Sequence, residues 1–373
     1  MKILHQIKDL IREFYVNYSM PMNIYESGSK RVLISYIKSP FYSKKNIISH
    51  SNFIESKIIA KTFKELGYSV DVVDYRCKRE INYDRYDTVF GFGLPFHTAI
   101  SHPGLTKICY LTGSNPNFSN LREAQRIEEF NKKNNKRLLP RREAYWPWMH
   151  AAINSDFLIV TGNDFSKSTY EKIKDNVLKI SVPFIPSKNI ISEKNSNGFL
   201  WFGGAGALFK GLDLTLEAFK ELDEDFTLDI CGPIEKEKDF MEFYSDEIEK
   251  NEKIKFHGMV DVSSEKMKEL LSKNKFVILP SCSEGGASSV LTCMNLGLIP
   301  IVTKECSLDL EEFGFVIKEL TKDAVLESMK IASRISEEEK CVQQKKMKSF
   351  LSRNHSEDSI TIKFKEIIQE IAP

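Results

Sequence analysis

The sequence predicts an α/β protein built from two Rossmann-like, doubly wound parallel-sheet domains that face each other across a cleft. Three observations carry that expectation. The chain of 373 residues is too long for one ordinary hydrophobic core and points to about two domains. Short, continuous apolar runs rich in β-branched residues alternate with longer segments of helical period, the pattern of parallel strands covered on both faces. The alternation breaks once, at "PFIPSKNIISEKNSNG", whose prolines, serines and asparagines read as a connection, and then it restarts.

Residues 1–183 read as the first domain, opened by an extra helical segment over 1–28 whose "MKILHQIKDLIREFYVNY" is amphipathic. "RVLISYI" has strand character, and "SHSNFIESKIIAKTFKELG" has helical period and a stop at Gly67. "SVDVVDY", "DTVFGFG", "KICYLTG", "FLIVTG" and "VLKISV" follow as further strands. Residues 184–198 form the connection. The second domain, 199–352, restarts the pattern with "FLWFGG", "FTLDICG", "KIKFHGMV", "KFVILP", "LIPIVT" and "GFVI", without a visible sequence repeat of the first. The last segment, 353–373, is amphipathic and is expected to pack back across the first domain. Open α/β sheets bind ligands outside the carboxyl ends of their strands, so function is expected on the loops that line the cleft.

Composition narrows the class. The chain is 42% apolar and 28% charged with a formal net charge of +1, which gives no global attraction to nucleic acid or anionic lipid. No nucleic-acid partner is expected. The seven cysteines are odd in number, scattered and without a Cys-x-x-Cys pair, as in reduced thiols of a cytosolic protein. No stretch reads as a signal peptide or a membrane span, so the protein is expected in the cytoplasm. One basic stretch with adjacent aromatics, "NKKNNKRLLPRREAYWPWMH" at 131–150, suggests peripheral contact with the inner membrane face or steering of a phosphorylated, lipid-linked acceptor. A solvated loop is the alternative.

One stretch concentrates the chemistry. "PSCSEGGASSVLTCMNLG", residues 280–297, runs from the strand "KFVILP" through Glu284, Gly285 and Gly286 into a helix expected to be capped by Ser288 or Ser289. The glycines let backbone N–H groups approach a ligand, and the helix N-terminus offers unpaired N–H groups and partial positive charge to an anion. A carboxylate would repel that anion, so Glu284 is suited to the hydroxyls of a sugar attached to it. An ordinary strand-to-helix turn with an acidic residue is the other reading.

Continued to "LIPIVT", this stretch resembles the donor-site signature of retaining glycosyltransferases of the GT-B fold, in particular glycosyltransferase family four. The resemblance puts Glu284 on the donor sugar and the amides of Gly286, Ala287, Ser288 and Ser289 on the distal phosphate, with Gly285 in the turn. "FLWFGGAGALFKGLDLTLEAF" resembles the family's opening of the nucleotide domain. It implies that Lys210 faces the diphosphate, that Gly203 and Gly204 pass close to the sugar, and that Gly258 to Val260 lie near the base. Two departures stand out. Many members have an Arg five positions before the lysine, where this chain has Ala205, so transition-state stabilisation is lost unless another cation substitutes. The second Glu that grips both ribose hydroxyls is Thr292 here, which cannot hold a cis-diol in the same way.

The glycine spacing of "GGAGALFKG" fails the dinucleotide fingerprint, which sets nicotinamide chemistry aside. "DED" at 223–225 reads as an acidic turn, and no metal or other cofactor is expected. In the first domain the resemblance suggests His97, placed in the loop after a strand, as a group at the reaction centre; a structural histidine is the alternative. His50, Asn52 and Glu55 are offered to an acceptor; helix capping by Ser51 or Asn52 is the other reading. The reading as a whole is a retaining glycosyltransferase moving a sugar from a nucleoside-diphosphate sugar to a hydroxyl of a glycan or lipid-linked acceptor, with Glu284, Lys210 and His97 as catalytic groups. A sugar-nucleotide epimerase and a catalytically inert scaffold of the same fold remain as alternatives.

Overall fold

The computed structural model describes residues 16–42, 50–186, 198–222, 225–310 and 312–372. Residues 1–15 of the expected amino-terminal helix and 187–197 of the expected connection lie outside them, as do Asp223 and Glu224.

The first sheet has seven strands: β1 (Met22–Tyr25), β2 (Lys30–Tyr36), β3 (Tyr68–Asp74), β4 (Thr88–Gly91), β5 (Thr106–Leu111), β6 (Phe157–Thr161) and β7 (Val177–Ile180). Their spatial order is β1-β3-β2-β4-β5-β6-β7, and every pairing is parallel except β1 against β3. The helices that follow in sequence are α1 (Ser51–Glu65), α2 (Gly93–Ala99), α3 (Pro116–Asn134), α4 (Trp148–Asn154) and α5 (Asp164–Ser168). The second sheet is all parallel, in the order β10-β9-β8-β11-β12-β13. Its strands are β8 (Gly198–Phe202), β9 (Thr227–Cys231), β10 (Ile254–Phe256), β11 (Phe276–Leu279), β12 (Ile299–Thr303) and β13 (Phe315–Ile317). Helices α6 (Leu212–Lys220), α7 (Lys238–Lys250), α8 (Glu265–Lys273), α9 (Ser288–Asn295) and α10 (Lys322–Ser333) accompany it, and α11 (Glu337–Asn354) and α12 (Glu357–Ile371) end the chain.

The period-two strand pattern becomes two cores in the first domain. Val32, Ile34, Val70 and Val72 share one face with α1, while Leu33, Val73, Val89 and Leu158 share the other. Ile360, Phe364 and Ile368 of α12 are buried in the first of these cores, so the end of the chain completes the domain that its beginning builds. Among the parallel strands of each sheet the order reverses once, between β2 and β4 and between β8 and β11. The loops at the second reversal carry Lys210 and Glu284.

Three expectations need correction. The helical character expected over 1–28 ends at Met22–Tyr25, which is a strand. It covers the edge of β3, where the Asn23 amide donates to the buried Asp71 carboxylate at 2.9 Å. The "loop" after β4 is helix α2, because Gly93, with φ +84°, turns the chain at once; a β-carbon there would stand 2.1 Å from the Tyr75 carbonyl oxygen.

The third concerns residues 112–147, whose middle leaves the first domain while both ends stay on it, Tyr170 Oη donating to the Gly113 carbonyl at 3.1 Å and the Trp146 ring lying 5.5 Å from that of Phe92. Helix α3 leaves the end of β5 and buries Ile127 and Phe130, with Leu138 beyond it, in the core of the second domain. The Phe130 ring stands 5.1 Å from that of Phe243. Charge pairs follow the apolar contact: Arg126 meets Asp213 at 2.5 Å, Lys133 meets Glu217 at 2.6 Å, and Arg141 meets Asp239. The basic stretch thus spends Lys133, Leu138 and Arg141 on the second domain, a use its composition did not reveal. The whole segment is a strap across the cleft.

Candidate active site

Two loops of the second domain are pressed together at the sheet's switch point. Gly211, at φ +65°, precedes α6, and a β-carbon on it would stand 2.2 Å from the Pro280 carbonyl oxygen at the end of β11. Cys282 N–H donates to the Phe209 carbonyl at 2.9 Å. Trp201 Nε1 donates to the Lys210 carbonyl at 3.2 Å. This cross-bonding aims the Lys210 ammonium at the Glu284 carboxylate, with which it forms an ion pair between side chains only 7% and 12% exposed. Ser281 Oγ donates to the same carboxylate at 2.9 Å. Burial pushes the Glu284 pKa up, but the Lys210 and Arg142 charges and the hydrogen bonds outweigh it, so the carboxyl is held below its usual range.

Both domains grip the main chain of Glu284. Its carbonyl accepts from Ser114 Oγ at 3.1 Å and Ser307 Oγ at 3.2 Å, and its N–H donates to the Glu305 carbonyl at 2.8 Å. Ser119 and Ser283 share a hydrogen bond of 2.7 Å across the seam. A cavity of about 220 Å³ opens on the first-domain side of Glu284, walled by Phe92, Trp146 and Tyr170, by Asn120 and Arg142 of the strap, and by Phe209. That volume lies below the roughly 300–1,000 Å³ of pockets that enclose drug-sized ligands.

Other second-domain residues fall where the strands end. Gly203 donates to the Cys231 carbonyl at 3.0 Å, Gly232 donates to the Gly258 carbonyl at 2.9 Å, and Gly204 lies under the Lys210 stem, whose Cε is 3.8 Å from the ideal β-carbon position. These glycines form a continuous rim over β8, β9 and β10. Gly258 has open space around it and Val260 is half-buried beside the core. Gly286 lies against Val182 of the first domain. The cap of α9 is neither serine: Ala287 holds that position with φ +25° and no side-chain cap. Ser288 and Ser289 are the first helical residues, and Ser288 Oγ accepts from Ser51 Oγ of α1 at 2.8 Å. Thr292 is 1% exposed and committed inside the fold: its Oγ1 donates to the Ser288 carbonyl at 2.7 Å and accepts from Ile185 N–H at 3.1 Å. It presents nothing to a ribose.

The first-domain residues divide. His97, on α2, is half-buried with its ring 5.0 Å from that of His150 and does not line the cavity; burial and then His150 lower its pKa. Phe92, just before the helix, reaches the cavity instead. His50 caps α1, its Nδ1 accepting from Asn52 N–H at 3.2 Å. Desolvation lowers the His50 pKa, the Asn52 contact opposes this, and the Arg142 and Lys210 charges lower it further, which puts His50 in the field of the site. Glu55 is 5% exposed and receives hydrogen bonds from Tyr36 at 2.8 Å and Tyr110 at 3.2 Å. Burial raises its pKa against those bonds, and it offers no group to an acceptor. Arg142, Trp146 and Asn120 were not singled out from the sequence; the run "RREAYWP" was the available signal.

Among the described residues no three His, Cys, Asp or Glu side chains converge as metal ligands, and Asp225 faces solvent 3.6 Å from Lys253. Nor, among them, is any helix long and apolar enough to cross a membrane.

Residues 187–346 match the family described as Glycosyl transferases group 1. No curated protein sequence is a significant match. Similar solved structures include sucrose-phosphate synthase from Thermosynechococcus elongatus, at TM-score 0.64 and 11% identity over 92% of this chain and 98% of that one. Anabaena HepE, solved with UDP and glucose, gives 0.59 and 10% over 91% and 99%. WaaG, a glycosyltransferase involved in lipopolysaccharide biosynthesis, gives 0.55 and 13% over 90% and 99%. At such identities the likeness speaks for the fold. Residues 187–346 are thus similar to the glycosyl transferases group 1 family, within a chain that has the GT-B fold of these structures.

Proposed function

We propose that the protein is a retaining, metal-independent glycosyltransferase that moves a hexose from a nucleoside-diphosphate sugar to a hydroxyl of a glycan or lipid-linked acceptor at the cytoplasmic membrane face. The observation that carries the reading is the Glu284 carboxylate, ionised by its environment and anchored by Lys210 and Ser281 beside the uncapped start of α9. A carboxylate fixed there accepts hydrogen bonds from sugar hydroxyls, and the free N–H groups of the helix end donate to the distal phosphate. The co-crystallised UDP and glucose of HepE support a uridine donor as the first to test.

In the transfer the bond between the anomeric carbon and the phosphate oxygen breaks, and its electron pair leaves with the diphosphate. The acceptor hydroxyl forms the new bond from the same face and gives its proton to the departing phosphate oxygen. No paired catalytic carboxylates are required for that path. The α9 amides and the cations around them stabilise the leaving charge, Glu284 orients the hexose, and Phe92 and Trp146 offer flat apolar walls to a ring in the cavity.

The test is release of nucleoside diphosphate from uridine, guanosine, thymidine, adenosine and cytidine diphosphate sugars with a glycan or lipid-linked acceptor. Glu284→Ala and Lys210→Ala are expected to lose at least about tenfold in turnover with folding intact. Isomerised donor without transfer would indicate the epimerase. The inert-scaffold reading draws on one observation, the commitment of Thr292 to the fold, and predicts neither donor binding nor turnover.

A further inference from the structure

We propose that Arg142, carried across from the first domain on the strap, is the diphosphate-binding cation of this site and stands in for the arginine missing at Ala205. The proposal rests on the donor-site reading above. Lys210 and Glu284 are paired with each other, so together they bring no net charge to a pyrophosphate. The described cavity wall carries one other charged side chain, Arg142. Among the described residues no carboxylate lies within ion-pair distance of its guanidinium, which nevertheless acts on the site by lowering the pKa values of Glu284 and His50.

The placement is specific. A β-carbon on Gly206 would stand 2.9 Å from Arg142 Cγ and 3.2 Å from Cδ, and the guanidinium carbon lies 5.4 Å from the centre of the Phe209 ring. The Arg142 stem thus lies over the glycine loop next to position 205, whose own side chain is an exposed methyl. From there a guanidinium can present two parallel N–H donors to phosphate oxygens, which neither an alanine nor an already paired lysine offers. The carrier is firm. Glu123, 2% exposed on α3, accepts from Arg141 N–H at 2.7 Å and from Arg142 N–H at 3.0 and 3.1 Å. Glu123 is a positioning residue: it holds the main chain and leaves the guanidinium for a ligand. Because the strap is rooted in the second domain, the cation keeps its place over the loop that contacts the donor.

The experiment measures, by calorimetry on the full chain, the affinities of uridine, guanosine, thymidine, adenosine and cytidine diphosphates and of the parent nucleosides. Wild type is expected to bind at least one diphosphate about tenfold or more tighter than its nucleoside. Arg142→Ala and Arg142→Gln should lose about tenfold of that diphosphate affinity while nucleoside affinity stays within twofold, and Arg142→Lys should fall between. Truncation spares the Glu123 contacts, which are made by the main chain, and thermal unfolding verifies this. Adding Ala205→Arg to Arg142→Ala should restore diphosphate binding from the other side of the loop. Diphosphate affinity of Arg142→Ala within twofold of wild type, or a folded double variant no better than the single one, overturns the role of Arg142 and leaves the donor site standing. Wild type that binds none of the five diphosphates at millimolar concentration overturns the donor site and this proposal together.

Discussion

Gly113 and Gly285 meet backbone to backbone across the seam between the domains, so closely that a β-carbon on Gly285 would stand 2.3 Å from the Gly113 α-carbon and 2.8 Å from Thr161 Oγ1. The contact holds the Glu284 loop against the end of the first sheet. Gly285 is not in the left-handed region, so its glycine answers a lack of space rather than a backbone angle.

Gly285→Ala should therefore act by wedging the domains apart. Overpacking of this kind costs about 1–3 kcal/mol, and the shift reaches Glu284, the preceding residue. Thermal unfolding should move down, and donor turnover should fall at least about tenfold because a misplaced sugar loses its alignment. Wild-type values for both would mean that the domains do not meet in this manner in solution.

The strap yields a second prediction. Arg126 and Asp213 form a buried pair at 2.5 Å, yet Arg126 Nε and Asp213 Oδ1 have no hydrogen-bond partner among the described residues. Removing one partner strands a buried charge, so Arg126→Ala should cost about 3–5 kcal/mol in urea unfolding. Replacing both, as Arg126→Met with Asp213→Leu, should recover most of that loss, since the incompletely bonded pair contributes little beyond specificity. A double variant as unstable as the single one would assign the cost to lost packing of α3.

These residues mark what was legible in the sequence and what was not. Lys210 and Glu284 lie 74 residues apart, but each is spelled within a local run of strand, glycine turn and helix, so both could be read before their contact was known. Arg142 could not. Its part depends on where the strap goes, and that is set by Ile127, Phe130 and Leu138, three apolar residues that look alike whichever core receives them. His97 was misplaced for a local reason, the turn at Gly93 that starts a helix where a loop was expected. Glu55 was misread because a buried carboxyl and an exposed one are the same letter, and only the positions of Tyr36 and Tyr110 tell them apart.

Thr292 makes that last point testable. With Oγ1 joined to both the Ser288 carbonyl and Ile185 N–H, Thr292→Val keeps the shape and leaves the Ile185 amide unpaired. The expected loss is about 1–3 kcal/mol in chemical denaturation. Weaker diphosphate-sugar binding with unchanged stability would instead return Thr292 to the ribose.

Glu284 links the site to pH. Burial alone would raise its pKa above the ordinary 4.5, but Lys210, Arg142 and the Ser281 hydrogen bond together bring the folded value below it. The unfolded chain therefore takes up the proton at a higher pH than the folded one. The ionised carboxylate contributes its full stability above about pH 4.5, and that contribution is lost as the pH falls through the lower folded value. Glu284→Gln removes this proton while keeping an acceptor for Lys210 and Ser281. The difference in unfolding free energy between wild type and Glu284→Gln should be constant from neutral pH to about pH 5 and then shrink, with a slope no steeper than about 1.4 kcal/mol per pH unit, the limit for one proton. Every other acid group titrates alike in the two proteins, so the difference isolates this one. A difference that grows on acidification would mean that burial dominates and that Glu284 is protonated more easily in the fold than outside it, which would remove the anionic anchor from the proposed donor site.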